Sequence, residues 1–216
     1  MALVELPDTL PAQIYLLAFD PDARRLTGHS QLGLLVRGAA LAELLLRGHL
    51  YDEAGMAKVN ARQPLPTDPV LLAVLNEVAE SRPRSWQHWV ARHAWTTRRA
   101  VAHQLAAGEW IELRHRQVLG LLPLTTVVLL QPYVVKQLAH RVHETLRETT
   151  PVAEVDARDA ALVALAAAGD LFLAIPQVER RAHQQRISDL AEPAGPVVRA
   201  VRKAWQQQQD SAASGG

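Results

Sequence analysis

The chain has 216 residues, is 49% hydrophobic and lacks cysteine, so it can bury a sizeable core but can build neither a disulfide framework nor a cysteine metal site. Its net charge of +1 is unevenly distributed: six Lys/Arg against ten Asp/Glu over residues 1–80, nine against two over 81–143, and eight against ten over 144–216. A basic middle between acidic ends suits an anionic partner, either lipid headgroups or nucleic acid, and is equally consistent with solvated arginines clustered along the chain.

Residues 1–8 carry no basic n-region and no long apolar run, so a signal peptide is not expected and the expected location is cytoplasmic. A first helix is expected over residues 10–19, capped by Thr9 with Pro11 in its first turn. Asp20-Pro21-Asp22 ends it, and residues 24–28 form a polar turn or small hairpin.

Residues 31–47 read as the central helix. They are apolar on almost every face, the mark of a helix surrounded by others, with Gly48 as its stop. Glu43 and Arg47 are four apart in the favourable order, whereas Arg37 lies well round the helix from Glu43. Gly38 would let another backbone or a ligand come close.

Residues 51–69 look irregular, and helical spacing resumes over 70–80. Two short helices are expected over 85–92 and 97–107. This stretch holds Trp86, Trp89 and Trp95 among Arg82, Arg84, Arg92, Arg98 and Arg99, with no acid from Ser81 to Gly108. Such interleaving serves a phosphate backbone, base stacking or a membrane interface, or simply a core of tryptophans rimmed by arginines.

Residues 109–113 and 117–122 read as a β-hairpin with Arg114-His115-Arg116 at a basic tip and a hydrophobic second arm. The uncharged run 117–135 is interrupted by Pro123 and Pro132 and is not a membrane span. Further helices are expected over 133–148, over 156–175 as a second core helix, and over 179–191 and 195–208. Residues 1–208 would form one domain and 209–216 a disordered tail. The fold class is therefore all-α, a helical bundle around buried central helices with one protruding β-hairpin.

No constellation calls for an enzyme, a metal or a cofactor. His140, His143 and Glu144 share a helix face but do not form the zinc-protease spacing, and no nucleophile elbow or phosphate-binding glycine loop occurs.

The run Arg37-Gly38-Ala39-Ala40-Leu41-Ala42-Glu43-Leu44-Leu45-Leu46-Arg47-Gly48-His49-Leu50 resembles the Golgi phosphoprotein 3 family pattern of Arg-Gly, an apolar run with Glu-Leu, then Leu-Arg-Gly-x-Leu. The first helix, the hairpin and the long Ala/Leu helix follow in the same order over roughly residues 5–205. Val118-Leu119-Gly120-Leu121-Leu122-Pro123 looks like the bacterial members in particular. The resemblance implies a non-enzymatic, cytoplasmic, peripheral membrane protein. Eukaryotic members bind the headgroup of phosphatidylinositol 4-phosphate through a Trp, the Arg of Arg-Gly and two basic residues of a later helix, and retain glycosyltransferases. Here Arg37 matches, while the other positions fall on Gly28, Ala94 and Thr97.

The expectation is a headgroup or phosphate site at Arg37, Arg98 and Arg99. The hairpin, through Arg114, Arg116, Val118, Leu119 and Leu121, would touch membrane or a second subunit. Anionic membrane lipid is the expected partner, with phosphoinositide one version of it; a protein client and a homo-oligomer are further partners. Nucleic acid bound by residues 82–99 is the alternative, tested by a salt-dependent gel shift.

Overall fold

The computed structural model describes residues 6–28, 30–118, 122–147, 150–171 and 173–214, with backbone only at 115–118 and 122–124. Among these residues the chain is predominantly helical, with ten α-helices and three small antiparallel sheets.

Helix α2 (Leu32–Leu46) is the centre, as its all-round hydrophobicity requires. It packs against α1 (Leu10–Leu17), α3 (Pro69–Ala79), α4 (Trp86–Ala91), α5 (Ala94–Ala107), α7 (Ala157–Ala168) and α10 (Gly195–Ser214). Leu32, Leu35, Leu41 and Leu44 are fully buried, and each such side chain contributes about 1.5–3 kcal/mol relative to exposure.

Two charges are buried with this helix, and each is satisfied. The Glu43 carboxylate accepts Arg47 Nε at 2.7 Å, the expected pairing, and also faces Arg158 Nε at 3.2 Å. Its other oxygen accepts the Leu10 backbone N–H at 2.9 Å. Thr9 makes no side-chain cap to α1; the carboxylate arriving from α2 takes that place.

Gly38 gives close approach to α10. A Cβ there would stand 2.3 Å from Val201 Cγ2. Gly48 ends the α2 region with φ +74°, as a C′ glycine does.

Several boundaries differ from the sequence expectation. Phe19 leaves α1 to pair in β1 (Phe19–Asp20) with β2 (Arg25–Leu26), the small hairpin expected around residue 24. The segment expected to be irregular holds β3 (Leu50–Glu53) and β4 (Met56–Val59), joined over Ala54 and Gly55. Both turn residues have positive φ, +52° and +81°, the backbone of a type I′ hairpin reached without an Asn-Gly signal. Strand β5 (Arg84–Ser85) adds to β4.

Strands β6 (Ile111–Val118) and β7 (Leu122–Leu129) do not keep the expected bounds: Gln117 and Val118, expected in the second arm, end β6, and β7 begins at Leu122, where that arm was expected to end. Arg114 is registered opposite Thr126, and Arg116 opposite Leu124. Arg114-His115-Arg116 therefore lies within β6, and the basic-tip expectation is corrected. Backbone pairing with β7, which sequence alternation alone does not reveal, carries β6 through the three basic residues to Val118.

Helix α6 (Pro132–Leu146) follows. Helix α7 is the expected second core helix, buried from Ala160 to Ala168, but Gly169 stops it well before residue 175. A Cβ at Gly169 would stand 2.3 Å from Leu35 Cδ2, so α7 ends where it meets α2. Beyond it Leu171, Ala174 and Ile175 are buried in a non-helical segment, which is why their hydrophobicity read as more helix. The single helix expected over 179–191 is two, α8 (Gln177–Ala182) and α9 (Gln184–Leu190), broken at His183. Helix α10 continues to Ser214, with the Ser211 and Ser214 hydroxyls donating to Gln207 and Asp210 carbonyls, so residues 209–214 are helical and the disordered-tail expectation is corrected there. No helix among the described residues is long and apolar enough to cross a membrane.

Candidate functional site

Helix α5 presents two faces with different tasks. Thr97, Val101 and Leu105, four apart, point inward and are buried. Trp95, Arg98, Arg99, Ala102 and His103 share the other side and line a cavity of about 530 Å³, closed by Tyr15 of α1, Leu113 of β6 and Thr125 and Val127 of β7.

Trp95 is 65% exposed, and the Arg99 guanidinium lies 5.7 Å from its ring centroid. Tyr15 is buried; burial raises its hydroxyl pKa, while the charge of Arg98 and a hydrogen bond with it act the other way. No carboxylate among the described residues lines the cavity, which combines two guanidiniums and an imidazole with an apolar floor at the foot of the hairpin. Guanidiniums around a concave, partly aromatic hollow of this size are the chemistry that phosphate recognition uses.

Arg37 is elsewhere. It is fully buried, and its guanidinium is spent on protein. Nη2 pairs with Glu77 Oε2 at 2.7 Å, Nε donates to the Trp89 carbonyl at 3.1 Å, and Nη1 donates to Thr97 Oγ1 at 3.1 Å. Burial lowers its pKa and Glu77 opposes that shift, so it stays a cation. The expectation that Arg37 contacts a ligand is corrected: it ties α2 to α3, α4 and α5 beneath the face that carries Arg98 and Arg99. Its acidic partner comes from another helix, which explains why Glu43 was not within reach of it.

The structure thus brings Arg98 and Arg99 together with Trp95 and leaves Arg37 behind Thr97. A Cβ at Gly33 would lie 3.4 Å from the Ala94 backbone, so α2 and α5 meet closely where the resemblance placed its headgroup residues. Gly28, at the position of the family's Trp, takes a left-handed φ of +61°. Trp95 was expected only as one of the aromatics interleaved with arginine, and Tyr15, His103, Leu113, Thr125 and Val127 were not among the expected site residues. The 95/98/99/102 spacing was the sequence signal for the helical ones; the others needed the packing of α1 and the hairpin.

Of the tryptophans expected to interleave with arginine, Trp86 and Trp89 are core residues, 3% and 0% exposed, and only Trp95 faces out. That removes two of the three stacking platforms from the nucleic-acid reading. Arg114 is exposed and donates to Glu112 at 2.9 Å. The side chains of Arg116 and Val118, and residues Leu119 and Leu121 altogether, lie outside the described residues. His140 and His143 make separate contacts, to Glu144 at 3.4 Å and Glu179 at 3.2 Å.

No curated protein matches the chain significantly. The sequence profile of Golgi phosphoprotein 3 (GPP34) matches residues 10–208, nearly the whole domain built around α2. A match of that extent places the chain in the Golgi phosphoprotein 3 family.

Proposed function

We propose that this chain is a non-enzymatic, adaptor-like protein that docks peripherally on anionic membrane, using the cavity of Trp95, Arg98 and Arg99 beside the β6–β7 hairpin. The observation that carries the reading is the exposed Trp95 with Arg99 over its ring at the mouth of a cationic cavity. An indole with one apolar and one wet side suits the headgroup level of a bilayer, and guanidiniums suit phosphate. Leu130 and Tyr133, just after β7, are further exposed large apolar side chains, at 47% and 40%. Membership of an adaptor family supports the non-enzymatic assignment.

The lipid is a general anionic phospholipid in this reading. Phosphatidylinositol 4-phosphate specificity would need the family's Trp and basic pair, and Gly28, Ala94 and Thr97 stand there instead. A protein client or a second copy of the chain would engage the hairpin.

Vesicle flotation tests the proposal with phosphatidylcholine, phosphatidylglycerol and phosphoinositide vesicles at low and moderate salt. The chain should float with both anionic kinds and lose binding as salt rises. Near an anionic surface each basic residue is worth about 1 kcal/mol, so Arg98→Gln with Arg99→Gln should weaken binding by roughly thirtyfold. Absence of binding to every anionic vesicle would overturn the proposal.

A further inference from the structure

We infer that the cleft between the end of α7 and helices α8, α9 and α10 is a second anion site, for a phosphate-bearing ligand. The cleft has a volume of about 430 Å³ and shares no lining residue with the cavity beside the hairpin, so the inference stands independently of membrane docking.

Among the described residues three arginines line it, Arg180, Arg181 and Arg202, against one acid, Asp170. That acid is already engaged. Asp170, held at φ +53° just after α7, pairs with Arg180 of α8 and accepts Trp205 Nε1 of α10 at 3.1 Å. The carboxylate therefore fixes one guanidinium and one indole as walls. Arg180 also donates to the Ala167 carbonyl at 3.4 Å, which further anchors it.

Arg181 and Arg202 are different. They come from separate helices, border the same cleft, are exposed, and make no ion pair among the described residues. Placing two further cations around a hollow whose acid is already paired with Arg180 costs Coulomb repulsion, which an anion in the hollow relieves. Two guanidinium forks match the several oxygens of a phosphate, and the Gln184 amide supplies a further donor from α9. The Trp205 indole offers a flat apolar side for whatever the phosphate is attached to. A free phosphorylated metabolite and a lipid headgroup present the same chemistry here.

The test uses the full chain. Inorganic phosphate and glycerol 3-phosphate are titrated calorimetrically, and vesicles containing phosphatidic acid are floated with the Arg98→Gln, Arg99→Gln variant, which removes the docking contribution. Saturable binding of at least one probe is expected. Arg181→Gln with Arg202→Gln should weaken it by about tenfold or more, since each removes a charge-assisted hydrogen bond. Trp205→Phe, which keeps a ring but loses the bond to Asp170, should weaken it as well. Binding of the soluble probes assigns a free metabolite; vesicle binding that survives the Arg98/Arg99 changes and falls with those at Arg181 and Arg202 assigns a headgroup. No saturable binding of any probe overturns the inference, as does binding indifferent to the Arg181/Arg202 pair. Both arginines are exposed, so the variant should retain its parent's melting temperature, and a single Arg202→Gln change provides the same comparison with less perturbation.

Discussion

Arg37→Ala separates a structural arginine from a ligand-binding one. The side chain is fully buried, and its removal strips three partners at once. The Trp89 carbonyl is left without its donor, at about 1–3 kcal/mol. Glu77 loses its cation, but its side chain is 30% exposed and can rehydrate, so little is charged to that half of the pair. Thr97 keeps its own bond to the His93 carbonyl. The space vacated between α2, α4 and α5 adds a cavity cost, and the total is about 4 kcal/mol. For a domain of this size that lowers the melting temperature by roughly 8–16 °C. The assay is thermal unfolding followed by circular dichroism, paired with vesicle flotation at a temperature where parent and variant are both folded. The expected result is a large drop in melting temperature with vesicle binding retained. A melting temperature close to the parent's, together with lost vesicle binding, would refute the reasoning and return Arg37 to the ligand.

Two further perturbations probe the packing and the pH response. Gly38→Ala should destabilise by about 1–2 kcal/mol despite alanine's better helix propensity, because its Cβ would stand 2.3 Å from Val201 Cγ2; adding Val201→Ala should recover part of the lost melting temperature. His49 is buried and beside Arg47, and both effects, burial foremost, lower its pKa below the ordinary 6.5. The unfolded chain then takes up the proton first, so this contribution to stability is complete above about pH 6.5 and is lost as pH falls through the folded value. Melting temperatures measured from pH 7 to pH 5 should decline less steeply in His49→Gln than in the parent.

The central helix was legible because its hydrophobicity has no polar face, a pattern that only burial satisfies. Leu34, Leu41 and Leu44 announce it without any knowledge of neighbours. The Glu43–Arg47 pair was legible for the same local reason, since helix geometry alone sets an i,i+4 contact. The β3–β4 hairpin was not, because its strands are mostly exposed and carry little alternation, and its turn is encoded by backbone conformation at Ala54 and Gly55. The break after Ala168 was hidden because buried loop residues such as Leu171 and Ile175 are as apolar as helix residues.

The same division runs through the sites. By itself the sequence determined the all-α class, the identity of α2 as the core helix, the run of cations without acids on α5, and the family likeness carried by Arg37-Gly38. Only the tertiary structure decided which arginines face solvent. Arg37 belongs to the most family-like motif, yet Glu77, forty residues away, closes it into the core. Arg98 and Arg99 acquire their hollow from Tyr15 and the hairpin, and Arg181 and Arg202 border one cleft only because α8 and α10 both line it. The reason is physical: helix period and hydrophobicity are local and can be read along the chain, whereas the partner of a charge is set by which distant segments pack together.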